Sequence, residues 1–172
     1  VNCGCMTCLG AFDIAHLQYL YGPNQYTGRK DDSYILSDSL MGYECIWDAA
    51  GKDTIDASTA SKASTIDLRN ATLQNEVGGG GFVSEINGEY KGFTIAYNST
   101  GDCIIENAIG SNFNDRITGN EYSNTIYGLS GDDEIFARGG SDYVYGGFGN
   151  DVIHGSFYGD PSNSIDTLSG GN

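Results

Sequence analysis

Basic residues are scarce in this chain: Lys and Arg number 8 against 23 Asp and Glu, for a formal net charge of -15 over 172 residues. A surface this acidic is repelled by phosphate, which argues against nucleic acid and anionic membrane as partners and favours cations. Histidine is scarcer still, with only His16 and His154. A zinc-peptidase helix of the form HExxH needs two His on one helix face, a Glu between them and a further ligand, and no such segment occurs. Both histidines are expected to be solvated or packed. The scattered serines lack the strand-turn-helix setting of a nucleophile elbow, so no Ser/His/Asp arrangement is indicated. No apolar run reaches the roughly 18 residues of a membrane-spanning helix. The opening VNCGCMTCLG has neither the basic start nor the apolar stretch of a signal peptide, and reads as a mature or trimmed end.

A hydrophobic content of 39% argues against simple disorder. The length fits one domain, or a repeat array with an appendage, and suffices to bury a useful core. So large an excess of negative charge opposes compaction unless counterions are bound at specific places. The five cysteines, at 3, 5, 8, 45 and 103, are odd in number, so at least one is unpaired within the chain. Cys3, Cys5 and Cys8 lack the matching second pair of a zinc-finger pattern, and a disulfide or free thiol is the plainer reading. Sequons stand at Asn70 and Asn98.

Residues 11 to 21, AFDIAHLQYLY, place Ile14, Leu17 and Tyr21 at helical spacing, with Asp13 near the start and Gly22-Pro23 past the end. That predicts one amphipathic helix. From about 24 to 105 the chain shows short β-like runs, YILSD, CIWD, STIDL, FTIAY and CIIE, broken by Gly, Asn and Asp. VGGGGFV at 77 to 83 reads as a turn within this region.

From Gly110 a nine-residue period takes over: GSNFNDRIT, GNEYSNTIY, GLSGDDEIF, ARGGSDYVY and GGFGNDVIH. The sixth position holds Asp115, Asn124, Asp133, Asp142 and Asp151; the eighth holds Ile117, Ile126, Ile135, Val144 and Ile153. A sixth unit carries Asp160 in register and is interrupted at Pro161; the period then resumes as IDTLSGGN, with Asp166 fifteen residues after Asp151. The array thus has an insertion at about 160–165. It stops in mid-repeat at Asn172, and the domain is expected to extend further.

In each nine, the last three residues form a short strand whose apolar eighth position points inward, while the first six turn the chain. Glycine suits the turn, where the backbone visits positive φ and approaches an ion closely. Two nines make one coil, so turns eighteen residues apart stack and their carboxylates pile up. Like charges that close repel. A hard cation with high coordination number resolves the conflict: Ca²⁺ takes roughly 6 to 8 oxygens, whereas Mg²⁺ prefers a smaller octahedral shell that retains water. The candidate ligands are Asp115, Asn124, Asp133, Asp142, Asp151 and Asp160, with the turn residues Gly128, Ser130, Gly131, Gly139, Gly140 and Gly146. The eighteen-residue pairs are Asp115 with Asp133, Asp133 with Asp151, Asn124 with Asp142, and Asp142 with Asp160. The Asn124–Asp142 pair, with a neutral member, is expected to lose calcium first.

The repeat is similar to the glycine- and aspartate-rich nonapeptide of RTX proteins, which form calcium-binding parallel β-rolls. CIWDAAGKDTID at 45 to 56, with IDLRNA, FTIAY and IIENAIGSNFND, resembles the C-terminal half of serralysin-type metalloproteases in the family's order. FDIAHLQYLYGPN resembles the segment that joins that family's catalytic domain to its roll. The likeness runs from about residue 11 to 172. It implies an all-β, right-handed parallel β-roll with one short N-terminal helix, divided as 1–23 (N-terminal segment and linker helix), 24–109 (β-rich flank) and 110–172 (repeats). It further implies calcium ligands at Asp48, Ala50, Gly51, Asp53 and Glu106, with an upstream turn at Arg29, Asp31 and Ser33 acting mostly through carbonyls. Here that turn reads RKDDS, with Asp31 in place of the family's glycine; Ala50 also replaces a glycine.

The function implied is a secreted, extracellular calcium-binding module, the non-catalytic accessory and folding domain of a serralysin-like protease. Several Ca²⁺ ions are expected and no zinc in this chain. The partner is a protease catalytic domain N-terminal to it. The alternatives are a partial or processed chain of an active zinc metallopeptidase, or a structural surface or matrix protein built on the same roll.

Overall fold

Alternation of inward apolar and outward polar residues on short strands, punctuated by Gly-Asp turns, lets the chain wind instead of folding back. The computed structural model describes residues 10–22, 26–72, 74, 82–97, 103–156 and 165–171. Cys3, Cys5, Cys8, Asn98, Asp160, Pro161 and most of the VGGGGFV run lie outside the described residues.

One helix, α1 (Ala11–Tyr21), precedes the strands β1 (Ser33–Ile35), β2 (Tyr43–Ile46), β3 (Thr54–Asp56), β4 (Ser64–Asp67), β5 (Val83–Ile86), β6 (Gly92–Ile95), β7 (Asn107–Ile109), β8 (Arg116–Thr118), β9 (Thr125–Ser130), β10 (Glu134–Arg138), β11 (Tyr143–Phe148), β12 (Val152–Ser156) and β13 (Thr167–Gly171). They form two sheets, ordered β1-β3-β7-β9-β11-β13 and β12-β10-β8-β4-β5-β6-β2. From β7 onward successive strands alternate between the sheets, so the chain is a parallel β-roll. The register confirms the eighteen-residue coil: Glu134 lies opposite Arg116 and Val152, and Tyr143 opposite Thr125. At the insertion the step lengthens to twenty-four, with Val144 opposite Leu168. β5 is the exception to parallel pairing, running antiparallel to both β4 and β6.

Between the sheets the inward side chains stack: Ile55, Ile66, Ala108, Ile117, Ile126, Ile135 and Val144 are all fully buried. Each buried Ile contributes about 1.5–3 kcal/mol relative to exposure.

Three expectations are corrected. The repeat strands extend beyond the last three residues of each nine; β9 and β11 run into the following unit. The CIIE run, 103 to 106, is not a strand: Cys103 and Ile105 are buried but β7 starts only at Asn107. The helix has the expected bounds and a different buried face. Ile14 packs on the core and Gln18 is buried, its Nε2 donating to the Tyr97 carbonyl at 3.1 Å, while Leu17 and Tyr21 are exposed. The amide bond to Tyr97 fixes the rotation of the helix.

Candidate calcium-binding edges

Strands β1, β3 and β7 to β13 are each entered through a polar residue, and parallel stacking lines these residues up. Along one edge stand Asp32, Asp53, Glu106, Asn124, Asp142 and Asp166, each immediately before a strand of the first sheet. Along the other stand Ser64, the first residue of β4, and then Asp115, Asp133 and Asp151, which immediately precede strands.

Hydrogen bonds tie each column together through a repeated device, in which a backbone N–H donates to a carboxylate oxygen one coil on. Asp32 N–H donates to Asp53 Oδ1 at 2.8 Å and Asp53 N–H to Glu106 Oε2 at 2.8 Å. Asn124 N–H donates to Asp142 Oδ1 at 2.8 Å and Asp142 N–H to Asp166 Oδ1 at 3.2 Å. In the second column Asp115 N–H donates to Asp133 Oδ1 at 2.8 Å and Asp133 N–H to Asp151 Oδ1 at 3.1 Å. Asp142 thus meets Asp166, twenty-four residues on, in step with the pairing of β11 and β13, while the expected Asp142–Asp160 pair falls on Asp160, outside the described residues.

One oxygen of each such carboxylate is thus held, and the other decides what the edge can bind. The Oδ2 atoms of Asp53, Asp133 and Asp151 are buried with no hydrogen-bond partner. A buried unpartnered carboxylate oxygen is costly, and burial with neighbouring carboxylates raises its proton affinity. Asp133 is pushed up to about 7 by desolvation above all, against the Asp115 N–H bond, with Asp115, Asp151 and Asp132 adding repulsion. Asp53 rises to about 7, again through burial first, against the Asp32 N–H bond, with Asp48, Glu106 and Asp32 adding to it. Burial also raises Glu106 and Asp115. A hard cation relieves the unpartnered oxygens of Asp53, Asp133 and Asp151 at once, and the donor set is all oxygen.

The turns leave room for close approach. A Cβ on Gly128 would collide with Asp133 Oδ2 and the Gly146 carbonyl oxygen, and one on Gly146 would collide with Asp151 Oδ2. Gly131, at φ 121°, takes a backbone that other residues rarely adopt and packs against the Phe113 carbonyl one coil earlier.

Upstream, Asp32, Asp48 and Asp53 bring carboxylate oxygens within 4.8 Å of one another. Asp48 is fully buried, and Tyr34 Oη donates to its Oδ2 at 2.6 Å. The Tyr34 hydroxyl is correspondingly held well above the usual phenol range, by burial first and then by Asp48. Gly51 sits against the Lys30 carbonyl and Asp53. Of the sequence candidates, Asp48 and Asp53 meet here and Glu106 joins them through its bond from the Asp53 N–H, whereas Asp31 accepts the Lys52 N–H at 3.1 Å on the exposed side and is not in the cluster. Asp32 takes that place. Its signal was its position directly before a strand, the same as that of Asp115 or Asp133. Arg29 and Ser33 flank the turn, and Ala50 N–H donates to the Gly28 carbonyl at 3.0 Å, closing the loop against it.

His16 and His154 stay apart: His16 is exposed on α1, and His154 stacks on Phe136 with ring centroids 4.6 Å apart. The Asn70 amide donates to the carbonyls of Ala96 at 2.9 Å and Cys103 at 2.8 Å, so glycosylation there would break two internal bonds.

Residues 109–144 and 130–157 match the family described as RTX calcium-binding nonapeptide repeat, with four copies. The repeats are an RTX calcium-binding region. The chain is also 38% identical over 109 residues to a serralysin of Proteus mirabilis, a match that covers 56% of this chain and 19% of that protein. The chain thus spans about a fifth of the length of this curated relative. Repeats and likeness together support an RTX region like that of serralysin-type proteases. Repeats of this family are of the calcium-binding type. Among the described residues, no helix is long and apolar enough to cross a membrane.

Proposed function

We propose that this chain is the accessory module of a secreted, serralysin-like protease, folded by calcium once outside the cell. The observation that carries the reading is the set of buried, unpartnered Oδ2 atoms on Asp53, Asp133 and Asp151, which leaves the roll with negative charge that its own donors do not neutralise. We assign calcium to three places: Asp32, Asp48, Asp53 and Glu106 upstream; Asp133 with Asp151 on one edge of the repeats; and Asp142 with Asp166 on the other. Turn carbonyls at positions such as Gly128, Ser130 and Gly146 complete the shells. Calcium supplies positive charge and oxygen coordination between adjacent turns; the chain's own N–H groups hold the second carboxylate oxygen in place. Residues 24–109 serve as the flank on which the repeats 110–172 are built, and residues 1–23 lead from a catalytic domain.

Two experiments test the proposal. Calorimetric titration should show several calcium ions bound by the chain and fewer by Asp151→Asn; no heat of binding at millimolar calcium would end the calcium reading. The parent gene should encode an HExxH segment upstream of Val1. If it encodes none, the protease part fails and the structural-protein reading takes its place.

A further inference from the structure

The turns of the roll fall into two classes. In the third, fourth and fifth repeats the second position is left-handed, with Leu129 at φ 81°, Arg138 at φ 75° and Gly147 at φ 117°. In the first two repeats that position is Ser111 and Asn120, neither at positive φ. Their N–H groups instead turn into their own repeat, from Ser111 to Asp115 Oδ2 and from Asn120 to Asn124 Oδ1 at 2.9 Å. Their side chains close the same turn: Ser111 Oγ accepts the Phe113 N–H at 3.1 Å, and Asn120 Oδ1 accepts the Tyr122 N–H at 2.9 Å.

This belt satisfies itself. Asp115 accepts from Ser64 N at 2.6 Å, Ser64 Oγ at 3.0 Å and Ser111 Oγ at 2.8 Å, besides Ser111 N. Three of these donors meet Oδ1 and the Ser111 N–H meets Oδ2, so both oxygens of the carboxylate are engaged by the chain's own hydrogens. Across the roll, Asn120 Nδ2 donates to the Leu68 and Ile105 carbonyls at 3.2 and 2.8 Å. Asn124 Nδ2 donates to the Glu106 carbonyl at 3.2 Å and to Asn120 Oδ1 at 3.0 Å. Ser64, Ser111, Asp115, Asn120 and Asn124 are all under 5% exposed. A cation at Asp115 would have to displace hydrogens already aimed at it, and Asn124 presents a neutral amide whose oxygen is engaged. These residues do not fit the ion that the sequence pattern assigns them. Asp133 and Asp151 do, each with a buried Oδ2 that meets no donor.

We infer that the first coil, residues 110–127, is a metal-free cap that stays folded when calcium is withdrawn, and that calcium-dependent order in the repeats begins at Gly128. The inference rests on the calcium reading above. Serine and asparagine donors do in the cap what the ion does in the later turns, and the cap offers the edges of β8 and β9 as a template to which β10 and β11 add once calcium binds.

Hydrogen exchange by mass spectrometry on the full chain, in calcium and in EGTA, tests it. Peptides within 110–127 should keep their protection in both, and those within 128–156 only in calcium. Loss of protection across both stretches in EGTA overturns the cap and leaves the calcium reading standing. No change anywhere contradicts the calcium reading and takes the cap with it. Ion counting by native mass spectrometry is the second arm: Asp115→Asn should retain the wild-type number of ions, whereas Asp133→Asn should lose at least one. A lost ion in Asp115→Asn overturns the cap.

Discussion

Leu129 and Arg138 hold a backbone conformation that costs an L-residue about 1–2 kcal/mol, at a position where the repeat can accommodate glycine, as at Gly147. Leu129→Gly should therefore stabilise the calcium-loaded roll by about 1 kcal/mol, less the burial lost from a half-exposed side chain, as read by urea denaturation in saturating calcium. A clear destabilisation would show that Leu129 is held by packing worth more than the strain. The buried carboxylates give a pH dependence whose sign is fixed. Asp53 and Asp133, raised to about 7 in the calcium-free fold, bind more protons folded than unfolded, where a carboxylate titrates near about 4. Without calcium, stability should be fullest below pH ~4 and decline as pH rises to ~7. With calcium the trend reverses, because protons compete with the ion for the same oxygens. Melting temperatures across that range, with and without chelator, check both signs. At this scale the nine-residue clock revealed Asp133, Asp142 and Asp151 because a period exposes them. It did not reveal Asp32, which precedes β1 outside any repeat, nor that Asp115 accepts two bonds from Ser64, fifty-one residues earlier in the chain.

The strands owe their placement to the apolar eighth position, whose side chains stack into one buried column from Ile117 to Val144. Ile135 lies in the middle, on a strand paired on both sides by β8 and β12. Ile135→Ala should cost about 2–5 kcal/mol, seen as a lowered urea midpoint in saturating calcium. A cost below about 1 kcal/mol would mean that the turns, and not the core column, hold the sheets together. Coil length and strand direction were legible because the period of two nines leaves a single parallel register that keeps the eighth-position Ile and Val side chains against the core. Other features were not legible because they depend on distant partners. The antiparallel β5 fills the gap between β4 and β6, and α1 is rotated by Gln18 bonding to Tyr97 so that Leu17 faces solvent. The strands lengthen beyond three residues because each coil finds a ladder already laid by the one before it. Backbone N–H groups of the fifth repeat position also donate one coil back: Asp132 N–H to Asn114 Oδ1 at 3.0 Å, and Asn150 N–H to Asp132 Oδ1 at 2.8 Å.

For the whole molecule the governing quantity is charge. A chain of net charge -15 that aligns carboxylates on both edges of a roll folds against its own repulsion unless a cation joins it. An ion that binds only the folded state stabilises by RT ln(1 + [Ca²⁺]/Kd), about 2.7 kcal/mol at a hundredfold excess over Kd for each independent site, so several sites supply a large share of an ordinary domain's stability. In the protease reading, this coupling keeps the repeats from Gly128 onward unfolded where calcium is scarce and folds them where calcium is abundant. The central claim is that calcium and fold are linked, and the most direct measurement is far-UV circular dichroism with thermal melting of the full chain in millimolar calcium and again in excess EDTA. The account predicts that chelation removes much of the β-signal or lowers the melting temperature sharply, and that added calcium restores both. A spectrum and melting temperature unchanged by EDTA would contradict it.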